Sequence, residues 1–269
     1  MELTVQDRKT YAYTGGKAFD ASLPTVVFIH GGAHDHCVWA LQSRWCAHHG
    51  YGVLAVDLPG HGRSAGPALG RIEDMAGWVV ALLDAAGVAK AALVGHSMGS
   101  LIALDCAGRQ RDRVASISLI GTAFPMKVSP GLLAATQSDE ASAQGMINVW
   151  SHAAIAHYPG NPGPGFWVMG ENLRLMQRQK PGVLHTDFAA CNAYAAGMER
   201  AAQITCPALV MLAGGDLMTS PRSGKALAAA IPGARIVTLP GSGHALMAEK
   251  PDAVLDALAA FLGGTVTTA

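Results

Sequence analysis

Five short, predominantly apolar runs constrain this chain most: TVVFIH (25–30), GVLAVD (52–57), KAALVG (90–95), VASISLIG (114–121) and PALVMLAG (207–214). A strand with one face in water alternates apolar and polar residues, whereas a strand covered on both faces has no reason to alternate. Helix-like segments separate the runs. IEDMAGWVVALLDAAG (72–87) opens on acidic residues and closes on glycine, as the helix dipole and the C-cap preference dictate. Strand, helix, strand, helix in this order predicts an α/β fold, a mostly parallel sheet with helices on both faces. LTVQ and TYAYT, separated by DRK, read as an edge hairpin. After PALVMLAG the pattern resumes with a helix near SGKALAAAI, the strand run ARIVTLPG (234–241) and a helix from Pro251 to Leu262.

Residues 124–203 break this rhythm. They contain no convincing strand run, are helix-prone around LLAATQ, QGMINVWSHAAIAHY and GENLRLMQRQ, and are interrupted by PGNPGPG (159–165). The expected organisation is one core domain formed by 1–123 and 204–269, with 124–203 inserted between two late strands as a helical lid.

Charge excludes several partners. Lys plus Arg and Asp plus Glu both total 19 in 269 residues, so nothing draws this chain to nucleic acid or to an anionic membrane. No stretch is apolar for long enough to span a bilayer, and MELTVQDRKT lacks the apolar core of a signal peptide. Five scattered cysteines without a CxxC pair read as free thiols of a reducing compartment. A cytoplasmic location is expected.

Chemistry enters at GHSMG (95–99), which follows the run KAALV and precedes the helix-like SLIALDCAGRQ. G-x-S-x-G between a strand and a helix puts its serine on a sharp turn, with glycines keeping neighbouring atoms clear. Ser97 is the candidate nucleophile. A hydroxyl needs a base, and His244 in LPGSGHALMAEKP offers one. The base needs a carboxylate to fix its tautomer. Asp216, just after PALVMLAG, is that carboxylate, because GTAFPM (121–126) after the preceding strand holds no acid. Asp57, in the turn cluster DLPGHGRS, is a rival by type only.

HGG (30–32), DLPGHGRS (57–64), GHSMGS (95–100), GGD (214–216) and GHALMAEKP (243–251), in this order, resemble the α/β-hydrolase fold superfamily from about residue 20 to residue 262. The resemblance implies eight strands, and a Ser97–His244–Asp216 triad identical to the one reached from the residues. It also implies an oxyanion hole made by the backbone N–H of Met98 and that of Gly32.

HGGAHDH (30–36) carries the side-chain types of a divalent-metal site. The distal ligands such a site needs are not recognisable downstream, so no metal is expected, and no cofactor. His34 and His36 either lock the loop or line the pocket mouth. Trp150, Trp167 and Met218 are further pocket candidates, and Phe166 belongs with the apolar residues of the lid. Arg174, Arg178 and Lys180 read better as a solvated helix face than as a carboxylate site. The expected activity is that of a carboxylesterase-type serine hydrolase, acting on a small or medium carboxylic ester through an acyl-enzyme. The same triad also serves C–C bond hydrolysis, enol-lactone opening or perhydrolysis, and a ligand-sensing protein without turnover is the reading from another class.

Overall fold

The structure, a computed structural model, describes residues 1–157 and 167–266; PGNPGPG (159–165) and Phe166 lie outside them. The eight predicted strands are present: β1 (Glu2–Val5), β2 (Arg8–Tyr13), β3 (Thr25–Ile29), β4 (Gly52–Val56), β5 (Ala91–His96), β6 (Val114–Ile120), β7 (Ala208–Ala213) and β8 (Arg235–Leu239). They form one sheet in the order β1-β2-β4-β3-β5-β6-β7-β8. β1 and β2 form an antiparallel hairpin, β2 pairs antiparallel with β4, and every pair from β4 onward is parallel.

The lack of alternation has the cause inferred for it. Every residue of β3, β4, β5 and β7 is buried, because helices cover both faces. Val27, Ile29, Leu54, Val56 and Leu93 meet α2 (Ile72–Ala85) and α3 (Met98–Arg109) on one side. Their neighbours Val26, Phe28, Val53, Ala55 and Val94 meet α1 (Ala40–His48) and the last helix (Pro251–Val266) on the other. Successive side chains of a strand point to opposite faces, so each run fills two cores at once.

Between β6 and β7 lie α4 (Pro130–Ser138), α5 (Glu140–Trp150), α6 (Val168–Gln177), α7 (Val183–Ala193) and α8 (Gly197–Ala202). Ser129 caps α4, accepting from the Leu132 amide at 3.3 Å, and Asp139 caps α5 from Ser142 at 3.1 Å. Their own apolar cluster, with Leu132, Ala143, Ile147, Met176 and Leu184, takes in Ala33 from the loop after β3. The helix-prone run through 158 is shorter than expected. α5 stops at Trp150, because the Ser151 carbonyl accepts from Ala245 at 2.9 Å and the Ala153 amide donates to Glu249 at 2.7 Å. Tertiary bonds replace helical ones there. After β7 come α9 (Pro221–Ala229), and after β8 the short α10 (Leu246–Glu249) and α11 (Pro251–Val266).

Two contacts fix the front edge of the sheet. Gly99, in the first turn of α3, lies so close to β3 that a Cβ on it would be 2.3 Å from the Ile29 carbonyl oxygen. His36 and the turn after β4 are joined by Asp57, which accepts from the His36 amide at 2.9 Å, from His36 Nδ1 at 2.7 Å and from the Arg63 amide at 2.9 Å. The His36 ring also packs on those of Tyr11 and Tyr13 in β2, with centroids 5.0 and 5.9 Å away. His36 therefore ties strand to turn.

Gly99→Ala should cost roughly 3 kcal/mol or more of stability, since backbone cannot give way as a flexible side chain does; a lowered urea midpoint measures it. A second prediction concerns pH. Burial works against the His36 charge, but Asp57 and Cys37 outweigh it and raise the pKa from 6.5 to about 9. A pKa raised on folding contributes stability that is complete below about 6.5 and lost as pH climbs through about 9. The melting-temperature gap between wild type and His36→Gln should thus be widest near pH 6 and close by pH 10.

Candidate active site

Three strand ends carry the candidate catalytic residues. Ser97 follows β5, Asp216 follows β7, and His244 follows β8, so all three stand at the carboxyl edge of the sheet. Ser97 has φ +51° and ψ −117°, a left-handed backbone rarely adopted by a side-chain-bearing residue. The surrounding corner over-determines it. A Cβ on Gly95 would sit 2.1 Å from the Gly99 oxygen, and the Ser97 amide donates to the Ile120 carbonyl at 2.9 Å.

Asp216 and His244 form a buried pair: His244 Nδ1 lies 2.8 Å from Asp216 Oδ2. The other carboxylate oxygen accepts from the amides of Met218 at 2.8 Å and Thr219 at 2.7 Å, and the Thr219 hydroxyl donates to Oδ2 at 2.6 Å. Burial pushes the Asp216 carboxyl up, yet His244 and Thr219 hold it below its ordinary range. An ionised carboxylate on Nδ1 keeps the Nδ1–H tautomer and leaves Nε2 free to take a proton. His244 is placed from below by His96, the residue before Ser97. His96 Nε2 donates to the His244 carbonyl at 2.9 Å, and the two rings stand 4.7 Å apart. Burial holds His96 well below its usual pKa, so it stays neutral.

Opposite the serine, the loop after β3 leaves the Gly32 amide without an acceptor and ties down its neighbours on the C-terminal side, Ala33 and His34. Leu58 donates to His30 Nε2 at 3.1 Å, which leaves the ring proton on Nδ1 for the Gly31 carbonyl at 2.8 Å. Burial, with His61 nearby, lowers His30 to about 4 and keeps this ring neutral. The Gly31 carbonyl and the Gly32 N–H belong to one trans peptide, so anchoring the first aims the second. The Gly32 amide has no hydrogen-bond partner among the described residues. Gly31 permits the close approach: a Cβ there would be 3.2 Å from Ser97 Cβ. Met98 opens α3, so its amide lacks an intrahelical acceptor. Gly32, Ser97 and Met98 together line a cavity of about 210 Å3, whose apolar walls include Leu132, Phe188 and Met218.

The pocket candidates separate. Trp150 and Met218 line the cavity beside Ser97. His34 borders a larger cavity, about 840 Å3, shared with His96 and His244. Trp167 is 67% exposed and borders neither, because its ring folds back over Gly170 of its own helix. His36 is drawn away to Asp57, as described above.

HDH is a lock more than a ligand set. His34 Nδ1 donates to the Gly32 carbonyl at 2.7 Å while its Nε2 meets Asn172 of α6 at 2.8 Å. Asp35 is gripped by the Arg178 fork, with Nε at 2.7 Å, and by Gln179 at 3.2 Å. Arg178 is thereby ion-paired, although half of its side chain stays exposed. Ligand atoms of Asp35, His36 and Cys37 lie within 4.8 Å of one another, but a cation there would abut the Arg178 guanidinium. Several of these partners carry no motif. Thr219, Asn172, Gln179 and Asp187, which accepts from the Ala33 amide at 2.7 Å, become visible as site residues only through contact.

Comparison with known proteins follows the same line. The model of the alpha/beta hydrolase family matches residues 26–257. The chain is 31% identical over 213 residues to the pimeloyl-(acyl-carrier protein) methyl ester esterase of Chromobacterium violaceum, covering 77% of this chain and 79% of that one. It is 44% identical over 100 residues to the dihydrolipoyllysine-residue acetyltransferase component of the acetoin cleaving system of Pseudomonas putida. That match spans 36% of this chain and only 26% of the length of that relative. Among solved structures, the enol-lactonase from Burkholderia xenovorans LB400 superposes with a TM-score of 0.86 at 26% identity, covering 98% of this chain and 100% of that one. With the family model spanning six of the eight strands and the residues at their ends, the chain belongs to the alpha/beta hydrolase family.

Proposed function

We propose that this chain is a serine hydrolase that cleaves a small or medium carboxylic ester through an acyl-enzyme. The observation that carries the proposal is the buried Asp216–His244 pair, 2.8 Å apart, whose imidazole packs on the residue preceding a strained Ser97. In this reading His244 Nε2 takes the Ser97 proton as Oγ attacks the ester carbonyl. The N–H groups of Gly32 and Met98 then receive the oxyanion, an interaction for which each donor contributes on the order of 3 kcal/mol to the barrier. His244 returns the proton to the departing alcohol, and the same histidine then activates water against the acyl-enzyme.

Size supports a compact acyl group. The cavity over Ser97, about 210 Å3, falls below the usual range for drug-sized ligands, roughly 300–1,000 Å3. Leu132 of α4, Trp150 at the end of α5 and Phe188 of α7 line it, and we read residues 124–203 as a lid that selects the acyl group by shape. The likeness to an ester-cleaving relative at 31% identity supports the bond type. Lactone opening is the second reading, favoured by the likeness to an enol-lactonase over the full chain; the triad would act in the same way on a cyclic ester.

Purified protein should turn over p-nitrophenyl acetate and butyrate continuously and the palmitate ester poorly. Ser97→Ala should lower kcat by about 10³-fold or more. A parallel series of lactones measures the second reading. Turnover that survives Ser97→Ala and disappears with a chelator would refute the serine mechanism.

A further inference from the structure

The lid contributes one carboxylate that is fully buried and is no member of the triad. Asp187, in the middle of α7, is 0% exposed. Its Oδ2 accepts two hydrogen bonds, from the Ala33 amide at 2.7 Å and from His61 Nε2 at 2.8 Å. Its Oδ1 has no partner among the described residues. A buried carboxylate with one oxygen unpaired costs stability relative to an apolar side chain of similar volume. Asp187 therefore calls for an explanation other than packing.

Its partners supply one. His61 is also 0% exposed, and its Nδ1 faces the Pro59 carbonyl at 3.1 Å. Both ring nitrogens thus meet acceptors, an arrangement that only the doubly protonated imidazolium satisfies. Burial alone would lower the His61 pKa, and Asp187 raises it above the usual value. The pair is an ion pair inside the protein. On its other side, Asp187 holds Ala33, whose φ of +53° is left-handed and non-glycine, a conformation that costs about 1–2 kcal/mol and lasts only where neighbours enforce it. The peptide joining Gly32 to Ala33 is pinned at both ends: its carbonyl by His34 Nδ1 at 2.7 Å and its N–H by Asp187. The preceding peptide carries the Gly32 N–H. Contact is direct as well, since a Cβ on Gly32 would lie 3.3 Å from both Asp187 Cβ and the Phe188 ring.

We propose that Asp187 is a positioning residue of the oxyanion hole: a lid carboxylate, charge-paired with His61, that aims the Gly32 N–H by holding the next peptide through the Ala33 amide. This rests on Gly32 being an oxyanion donor in a Ser97 hydrolase. The lid then has a second task besides shaping the pocket, because seating α7 completes the catalytic electrostatics. A lid residue acting this way affects the transition state, where the oxyanion exists, more than the ground state.

The test compares wild type, Asp187→Leu, Asp187→Asn and Ser97→Ala, using p-nitrophenyl butyrate hydrolysis and inhibition by a trifluoromethyl ketone that forms a hemiketal with a serine. Leucine removes the acceptor at nearly constant volume. Asparagine keeps an oxygen for the Ala33 amide. Asp187→Leu should lose about 10²-fold in kcat with KM within about threefold, and should bind the ketone about 10²-fold more weakly. Asp187→Asn should recover kcat to within about tenfold of wild type. Should the leucine variant fail to give a cooperative melt, Asp187→Ala carries the same comparison. An Asp187→Leu enzyme with unchanged kcat, or one whose KM and ketone affinity worsen together, would overturn the proposal while Ser97→Ala remained inactive and the serine reading stood. An asparagine variant as impaired as the leucine variant would overturn it too, by shifting the effect from the Ala33 bond to the charge. Equal activity in Ser97→Ala and wild type would remove the serine reading and this proposal with it.

Discussion

The corner at Ser97 is the constraint from which the other parts of the front edge follow. A serine at φ +51° persists only where the chain on both sides leaves it no alternative. That requires β5 and α3 to meet without side chains between them, which Gly95 and Gly99 allow. It also requires β3 to lie directly beneath α3, and so β3 sits next to β5 in the sheet. The loop leaving β3 then has little room for a Cβ against Ser97, and glycine stands there at Gly31. One strained residue therefore accounts for three glycines and a strand order.

The helical segment between β6 and β7 does more than cover this edge. It bonds to the loop after β3 at three consecutive residues: Ala33 through Asp187, His34 through Asn172 and Asp35 through Arg178 and Gln179. It also bonds to the loop after β8, where Glu249 accepts from both Gly243 at 2.6 Å and Ala153 at 2.7 Å. Irregular loops carry backbone polar groups that no ladder satisfies. Here Asp187 of α7 satisfies the Ala33 amide, Glu249 satisfies those of Gly243 and Ala153, and the Ser151 carbonyl accepts from Ala245, so the loops bearing Gly32 and His244 and the inserted helices are one polar unit.

Sequence legibility follows from the range of the interactions. The strands were readable because burial on both faces suppresses alternation within each run, as in TVVFI and ALVMLA. Ser97, His244 and Asp216 were readable because each sits in a short local pattern at a strand end. α7 carries no such local signal: VLHTDFAACNA mixes β-branched, polar and small residues and has no cap motif, since Gly182 precedes it with φ +82°. Asp187 was hidden with it. The HDH histidines looked alike in sequence, yet His34 turns to the Gly32 carbonyl and Asn172 while His36 turns to Asp57. Arg178 looked like a solvated cation because its partner, Asp35, is 143 positions away.

By itself the sequence determined the layered α/β architecture, the order of its strand runs and three chemically matched side chains at their ends. These depend on periodicity and on turns a few residues long, which local composition encodes. Only the tertiary structure decided which acceptors and donors the loop 30–36 would find, that His34 borders the cavity shared with His244, and that a carboxylate of α7 reaches the amide beside Gly32. Buried polar groups must be paired, but no local pattern names a partner more than a hundred residues away. The fold makes that choice when it brings α6 and α7 down onto the front edge of the sheet.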